Sequence, residues 1–344
     1  MQTKAKERFT VLHYCQYLIS SQINYTFTNL AEHLQRWSHD TLRRRLKNER
    51  ITGRMLWEHV SKDIEMDDNG IVIIDDSVLD KNYSYKIESV QYQYSGTEHR
   101  VLKGIGIVNL VYVNPKLDKF WIVDFRIYNK ILDGKTKIDH AKDMLSNLVH
   151  HKELPFKTVL MDTWYSALEL MKYIDVDIKK IYYCPLKENR LVDDSGGKEK
   201  YKKVSELQWS EIELKKGKTI KIKKSPADKK VKLFRVTAKD SRTDFIATND
   251  LSQDSSEVAQ DVCKVRWKIE EFHREIKQET GIEQCECRKD RLQRNHIGCA
   301  MLVWARLKHL AYKAGKTIYQ IKHEQLSNYL ISELKNPSVP MAFA

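Results

Sequence analysis

Two short apolar runs each stop at a carboxylate, and no other feature of the chain constrains its fold as strongly. Gly70-Ile71-Val72-Ile73-Ile74 ends abruptly at Asp75-Asp76, and Thr158-Val159-Leu160-Met161 ends at Asp162. Runs this short, bounded by polar residues, predict buried strands rather than helices. Residues 104–113 and 120–125 predict two further strands joined by a turn at Asn114-Pro115. Residues 138–150, with Ile138, Ala141, Leu145 and Leu148 on one face, predict an amphipathic helix, and Trp164 to Tyr173 a second. Strands followed by helices, with acids at strand ends, predict a mixed α/β sheet whose carboxylates can converge at a crevice.

The flanks read differently. Residues 1–66 are helical in pattern, with Val11, Leu12, Tyr14, Leu18 and Ile19 at three- and four-residue spacing. Asn29-Leu30-Ala31-Glu32 has the form of a capping box and predicts a helix start at Asn29. Ser38 can cap a third helix, His39 to Lys47, which carries Arg43, Arg44 and Arg45. Two short helices with a tight joint, the second rich in arginine, predict a helix-turn-helix DNA-binding region. A solvated basic surface helix is the plainer reading. Between 187 and 254, lysines crowd a segment of strand-like alternation, a basic β-rich insertion. Such an insertion either faces DNA phosphates or uses its lysines to guard exposed edges. A helix is expected over 255–280, closing at Gly281, and a helical tail runs on to Pro337. The expected organisation is 1–66, 67–186, 187–254, 255–305 and 306–344.

A net charge of +13 favours a polyanionic partner, since basic residues bind phosphate backbones by releasing counterions. With 41% hydrophobic residues the chain can bury a core, which excludes wholesale disorder. MQTKAKERFT is followed by no long apolar stretch, so no signal peptide is expected. No run approaches the ~18 apolar residues that suggest a membrane span. Six cysteines in a chain of 344 residues predict reduced thiols and a cytoplasmic or nucleoid-like setting. Cys285-Glu286-Cys287 with His296 and Cys299 looks faintly like a metal cluster. The Cys-x-Cys spacing is not that of a zinc knuckle, however, and buried thiols are the better reading.

The expected helix 255–280 has a core stripe of Val258, Val262, Val265, Ile269, Phe272 and Ile276. At ~100° per residue, Cys263, Arg266, Glu270, His273 and Lys277 fall in one sector beside it. Glu270 is thus a carboxylate in a line of cations, which by itself fits an ordinary i,i+4 ion-pair series. Joined by Asp76 and Asp162, it would complete a set of carboxylates suited to hard divalent cations.

The run from Arg266 to Lys277 resembles the signature of bacterial insertion-sequence DDE transposases of the cut-and-paste branch, a tyrosine followed by arginine, glutamate and lysine. Arg266, Glu270 and Lys277 match; Cys263 stands at the tyrosine position. The family's first aspartate, followed by Thr or Ser, matches Asp76-Ser77, with Asp75 the competing assignment, and the second matches Asp162. The resemblance covers roughly residues 70–300. It implies a ribonuclease-H-like core interrupted by the β insertion, with Asp76, Asp162 and Glu270 as catalytic metal ligands. Two Mg²⁺ ions, or Mn²⁺, are the implied cofactors. It further implies cleavage of transposon ends by metal-activated water, then joining of the 3′-hydroxyl to target DNA. The implied partners are double-stranded DNA, as terminal inverted repeats and target, and a second copy of the chain when assembled on DNA. Arg266 and Lys277 would hold phosphates, His273 would lie near the cut, and Trp209 is a candidate for stacking on a base. A catalytically silent DNA-binding derivative and a stand-alone ribonuclease-H-like nuclease are the competing functions.

Overall fold

The computed structural model describes residues 8–338, apart from 23, 85, 97–99, 227 and 238–242. These residues form two compact units, neither continuous in sequence. The first comprises the chain up to Asp63, Val78–Ile105 and the chain from Phe272; the second comprises Ile64–Ser77 and Gly106–Glu271.

Eleven strands are numbered in chain order. The first six are β1 (Ile71–Asp80), β2 (Gln91–Ser95), β3 (Arg100–Asn114), β4 (Lys119–Tyr128), β5 (Thr158–Met161) and β6 (Ile181–Leu186). The remainder are β7 (Leu191–Asp193), β8 (Lys202–Lys203), β9 (Lys218–Ile222), β10 (Val231–Thr237) and β11 (Thr243–Thr248).

In the second unit the sheet order is β4-β3-β1-β5-β6-β11-β10-β9-β7-β8. β3 and β4 pair antiparallel, while β1, β5 and β6 are parallel neighbours. This is the mixed α/β, ribonuclease-H-like sheet expected from the resemblance. From β6 onward the basic segment continues the sheet as antiparallel strands. Helix Lys137–His150 opens with a capping box between Thr136 and Asp139 and buries Ile138, Ala141, Leu145 and Leu148.

Three expectations need correction here. β1 does not stop at Asp75-Asp76 but continues to Asp80. The acids sit mid-strand, and the apolar pattern resumes with buried Val78 and Leu79. The helix expected over 164–173 begins only at Leu168, because the Asp162 carboxylate accepts the Tyr165 amide at 2.9 Å and holds a turn there. After Lys172 it widens into a π turn, Tyr173–Asp177. The long helix expected over 255–280 is two helices, Ser256–Lys264 and Trp267–Glu279. Between them the Val265 and Arg266 amides donate to Val262 and Cys263, three residues back, tightening the chain and re-aiming Arg266.

The first unit is built on helices Val11–Ser20, Phe27–Leu34, His39–Lys47, Gly53–Val60, Asp290–Ala314 and Ile318–Lys335. The second of these starts two residues before Asn29. Thr26 is its N-cap, accepting the Asn29 amide at 3.2 Å. Ser38 caps the third as expected, accepting the Thr41 amide. Its carboxyl end would leave carbonyls without partners, and Asn295 supplies one by donating to Leu46 O at 2.7 Å and Glu49 O at 2.8 Å. The same side chain accepts the Ile51 amide at 3.1 Å. In this unit β2 and the start of β3 form an antiparallel ribbon. Gly104 permits the close packing at its root, since a Cβ there would meet Leu79 O and Val78 Cγ1 at 2.5 Å.

His296 is wholly buried between Tyr14 Oη at 2.9 Å and Gly281 O at 3.0 Å. Both ring nitrogens are thereby used within the core. Cys285 and Cys299 are buried free thiols and Cys287 is half-buried. Burial pushes the His296 imidazole down from 6.5 to about 4. Its neutral form therefore contributes stability that is fully present above pH 6.5 and lost as pH falls through about 4. Unfolding by urea at pH 7 and at pH 4.5 is expected to differ by up to about 3 kcal/mol from this residue. A His296→Gln protein should show a flatter acid limb; equal limbs in both proteins would remove the histidine from the account. Among the described residues no helix is long and apolar enough to cross a membrane.

Candidate active site

β1 brings Asp75 and Asp76 into the middle of the second unit's sheet, and its pleat sends them to opposite faces. The parallel register sets Ile74 beside Met161, so Asp162, immediately after β5, arrives next to them. The tight joint at Val265–Arg266 and the first turn of helix Trp267–Glu279 add Arg266 and Glu270.

The Asp75 and Glu270 carboxylates have oxygens within 4.8 Å of each other. Arg266 Nη1 joins them, 3.3 Å from Asp75 Oδ2 and 3.1 Å from Glu270 Oε1. The other Asp75 oxygen accepts the Asp76 amide at 2.8 Å. Burial, then repulsion from Asp162 and Asp76, holds the Asp75 carboxyl well above the usual carboxylate range, against the opposing pull of Arg266. Asp162 is also pushed up, first by burial, despite accepting the Tyr165 amide. Asp76 is differently placed: Lys137 Nζ lies 2.6 Å from Oδ2, and Tyr165 Oη donates to Oδ1 at 3.0 Å. Lys137 Nζ also stands 5.5 Å from the Tyr128 ring centre and 5.3 Å from that of Trp164.

A buried carboxyl raised by burial and by neighbouring acids is short of positive charge, and carboxylate oxygens suit a hard divalent cation. Asp75 and Glu270, with oxygens within 4.8 Å, fit such an ion on that ground, and Asp162 and Asp76 lie near enough to raise the Asp75 carboxyl.

Lys277 belongs to the first unit, where its ammonium donates to Val78 O at 2.9 Å and pairs with Glu283 at 3.1 Å. His273 lies one turn beyond Glu270, also among that unit's residues. Arg43 and Arg44 are exposed on helix His39–Lys47 and Arg45 is half-buried, with Arg43 3.5 Å from Asp40. Cys263, at the signature tyrosine's position, is a thiol that burial pushes up to about 12. Trp209 is half-buried, with Lys218 Nζ 5.7 Å from its ring centre.

Sequence reasoning missed Lys137 and Tyr165, which bind Asp76 from 61 and 89 residues away; no local pattern marks either. It also missed a groove of about 450 Å³ that begins at Thr163 and Trp164 and is walled by Lys187, Arg190, Lys223 and Lys224. No carboxylate lines it. The lysine density of 215–232 was the available signal, but it did not show which lysines line the groove.

A family model described as "Transposase DDE domain" matches residues 131–305. The match includes Asp162 and Glu270 and begins beyond β1. Among solved structures, a piggyBac transposase synaptic complex with hairpin DNA is 10% identical, with a TM-score of 0.48, over 98% of this chain and 76% of that one. A Drosophila P element transposase strand transfer complex is 13% identical, with a TM-score of 0.27, over 46% of this chain and 34% of that one. No curated protein matches the sequence.

Proposed function

The chain belongs to the transposase DDE domain family, and from that premise we propose that it cuts DNA at transposon ends and joins the freed 3′-hydroxyls to target DNA. Divalent metal ions serve this family, and Mg²⁺ is the ion proposed, with Mn²⁺ able to replace it. Asp162 and Glu270 would hold it together with Asp75, whose carboxylate is the one beside Glu270. This shifts the first ligand from Asp76, the sequence-based choice, to its neighbour. Bound there, such ions polarise phosphate oxygens and promote in-line displacement at phosphorus.

The protein's own groups do the rest. Arg266 bridges two of the acids and limits their repulsion; with a cation present its guanidinium can turn to a DNA phosphate. Lys137 and Tyr165 fix Asp76 and keep its charge satisfied. The cationic groove beside Trp164 offers a path for the phosphodiester backbone leaving the site. Arg43, Arg44 and Arg45, on the capped third helix, would bind duplex DNA. His273 is proposed to act near the scissile region, one turn from Glu270, and Lys277 to do so only on rearrangement, since it is engaged within its own unit. On DNA the chain would act as a homodimer, associated with the nucleoid.

The observation that carries this reading is the approach of Asp75 to Glu270, with Asp162 and Asp76 near enough to raise the Asp75 carboxyl, in a chain of the matched family. Its test is cutting of the element's own terminal DNA by pure, folded protein in Mg²⁺ or Mn²⁺. Wild-type protein should cut, and Glu270→Gln should cut about a thousandfold more slowly, a loss of roughly 4 kcal/mol of transition-state stabilisation. No cutting by wild-type protein would leave the silent DNA-binding reading. Failure to join a pre-cut end to plasmid would leave a nuclease.

A further inference from the structure

The ribbon formed by β2 and the start of β3 has two unlike faces. In its antiparallel register Tyr92 stands opposite Lys103, and Tyr94 opposite Val101. Opposed residues share a face and alternate residues do too, so these four side chains lie together. The other face carries Gln93 and Leu102, both buried, with the Gln93 amide donating to Gly104 O at 3.3 Å. The ribbon is thus seated on one side and open on the other. On the open side Tyr92 is 73% exposed, Tyr94 59% and Val101 61%.

A third exposed tyrosine lies on a turn bonded to Lys103. Asn82 Oδ1 accepts the Lys103 amide at 3.0 Å, and the Lys81 amide donates to Lys103 O at 2.9 Å, which pins the turn carrying Tyr83 against β3. Tyr83 is 94% exposed. Such a group of large exposed side chains marks an interaction surface. Its charge selects the class of partner. The described residues of the two strands include Arg100 and Lys103 and no acid, and Lys103 Nζ stands 5.3 Å from the Tyr92 ring centre. An ammonium held beside a tyrosine suits phosphate and hydroxyl-accepting groups, and the chain's +13 charge favours a polyanion.

We propose that this ribbon is a second DNA-binding element, which enters the major groove of duplex DNA with Tyr83, Tyr92, Tyr94 and Lys103 facing the bases and phosphates. The major groove, ~12 Å wide, admits a two-stranded β-ribbon, whereas the minor groove, ~6 Å wide, does not admit one without being opened. Five residues per strand span ~17 Å, about half a helical turn of DNA. Lys103 neutralises a phosphate while the tyrosines supply hydroxyl contacts and apolar area to base edges. The proposal rests on the transposase reading in taking DNA as the partner.

The test uses full-length protein on the element's terminal DNA, with dimethyl sulfate probing guanine N7 in the major groove. Wild-type protein should protect guanines over about half a helical turn at a place separate from the protection lost in an Arg43→Gln/Arg44→Gln protein. Tyr92→Ser/Tyr94→Ser should lose that first patch and bind about ten- to hundredfold more weakly. Lys103→Gln should lower the slope of log affinity against log salt by about one. Tyr92, Tyr94 and Lys103 lie on the open face, so melting temperatures of their variants should match wild type. Unchanged protection and affinity in the tyrosine variant would overturn the proposal while leaving cutting intact. Displacement by a minor-groove ligand, with guanine N7 unprotected, would also overturn it. A wild-type protein that binds no DNA would overturn both this proposal and the transposase reading.

Discussion

Asp75→Asn is expected to slow DNA cutting about a thousandfold or more, whereas Asp76→Asn slows it only about ten- to a hundredfold. Asp75 has the carboxylate beside Glu270, and removing one ligand from a divalent site forfeits several kcal/mol of transition-state stabilisation. Each 1.36 kcal/mol is a factor of ten in rate, so ~4 kcal/mol gives the larger loss. Asp76 already accepts Lys137 and Tyr165, and its amide variant keeps an acceptor oxygen for one of them. A stability measurement distinguishes the residues independently. The folded state holds the Asp75 carboxyl above its usual range, so its contribution is fully present in acid and lost as pH rises through the raised value. At neutral pH without metal, Asp75→Asn should therefore melt above wild type. Mg²⁺ or Mn²⁺ should raise the wild-type Tm by mass action and leave that of Asp75→Asn nearly unmoved. The opposite ranking, with Asp76→Asn inactive and unresponsive to metal, would return Asp76 to the metal.

Glu275→Leu is expected to cost about 3–5 kcal/mol of stability, enough to unfold much of the first unit at moderate temperature. Glu275, Trp304 and Lys308 are all buried. Glu275 Oε2 accepts Trp304 Nε1 at 3.0 Å, and Lys308 Nζ lies 2.8 and 3.1 Å from its two oxygens. Deleting the carboxylate strands an ammonium in the core. Removing both charges together, as Glu275→Leu/Lys308→Met, should recover most of the loss, because the attraction of a buried pair is largely offset by its desolvation. Urea unfolding of the three proteins checks this. A double variant no more stable than Glu275→Leu would show that the pair contributes far more than its desolvation costs.

The parts of this fold legible in the sequence were those fixed by nearby residues. Ser38 announces helix His39–Lys47, and the apolar runs announce β1 and β5. Thr158–Met161 stops where expected because Asp162 turns back to cap its own loop, whereas Ile71–Ile74 does not stop, because ladder pairing tolerates two acids in a strand that regains Val78 and Leu79. The break at Val265–Arg266 was illegible because no glycine or proline marks it; three-residue hydrogen bonds make it. At the candidate site, Asp162 and Glu270 were proposed from position and signature. The choice between Asp75 and Asp76 was not. It depends on which face of the pleat meets Glu270 and on where Lys137 and Tyr165 arrive from distant segments.

Tyr14 and His296, which meet in the core of the first unit, are 282 residues apart, and Asn295 reaches back 249 residues to Leu46. During synthesis at ~5–20 residues per second, the amino-terminal helices emerge on the order of tens of seconds before the segment that completes their core. Over that interval Tyr14, Leu18, Leu42 and Leu46 lack the helix Asp290–Ala314 that covers them, so the nascent chain is a substrate for chaperones and proteases. A frameshift or stop codon before codon 295 would remove Asn295 and His296 and leave the arginine-bearing helix without its anchor. Truncated products of that kind should be cleared rather than persist as competitors for DNA.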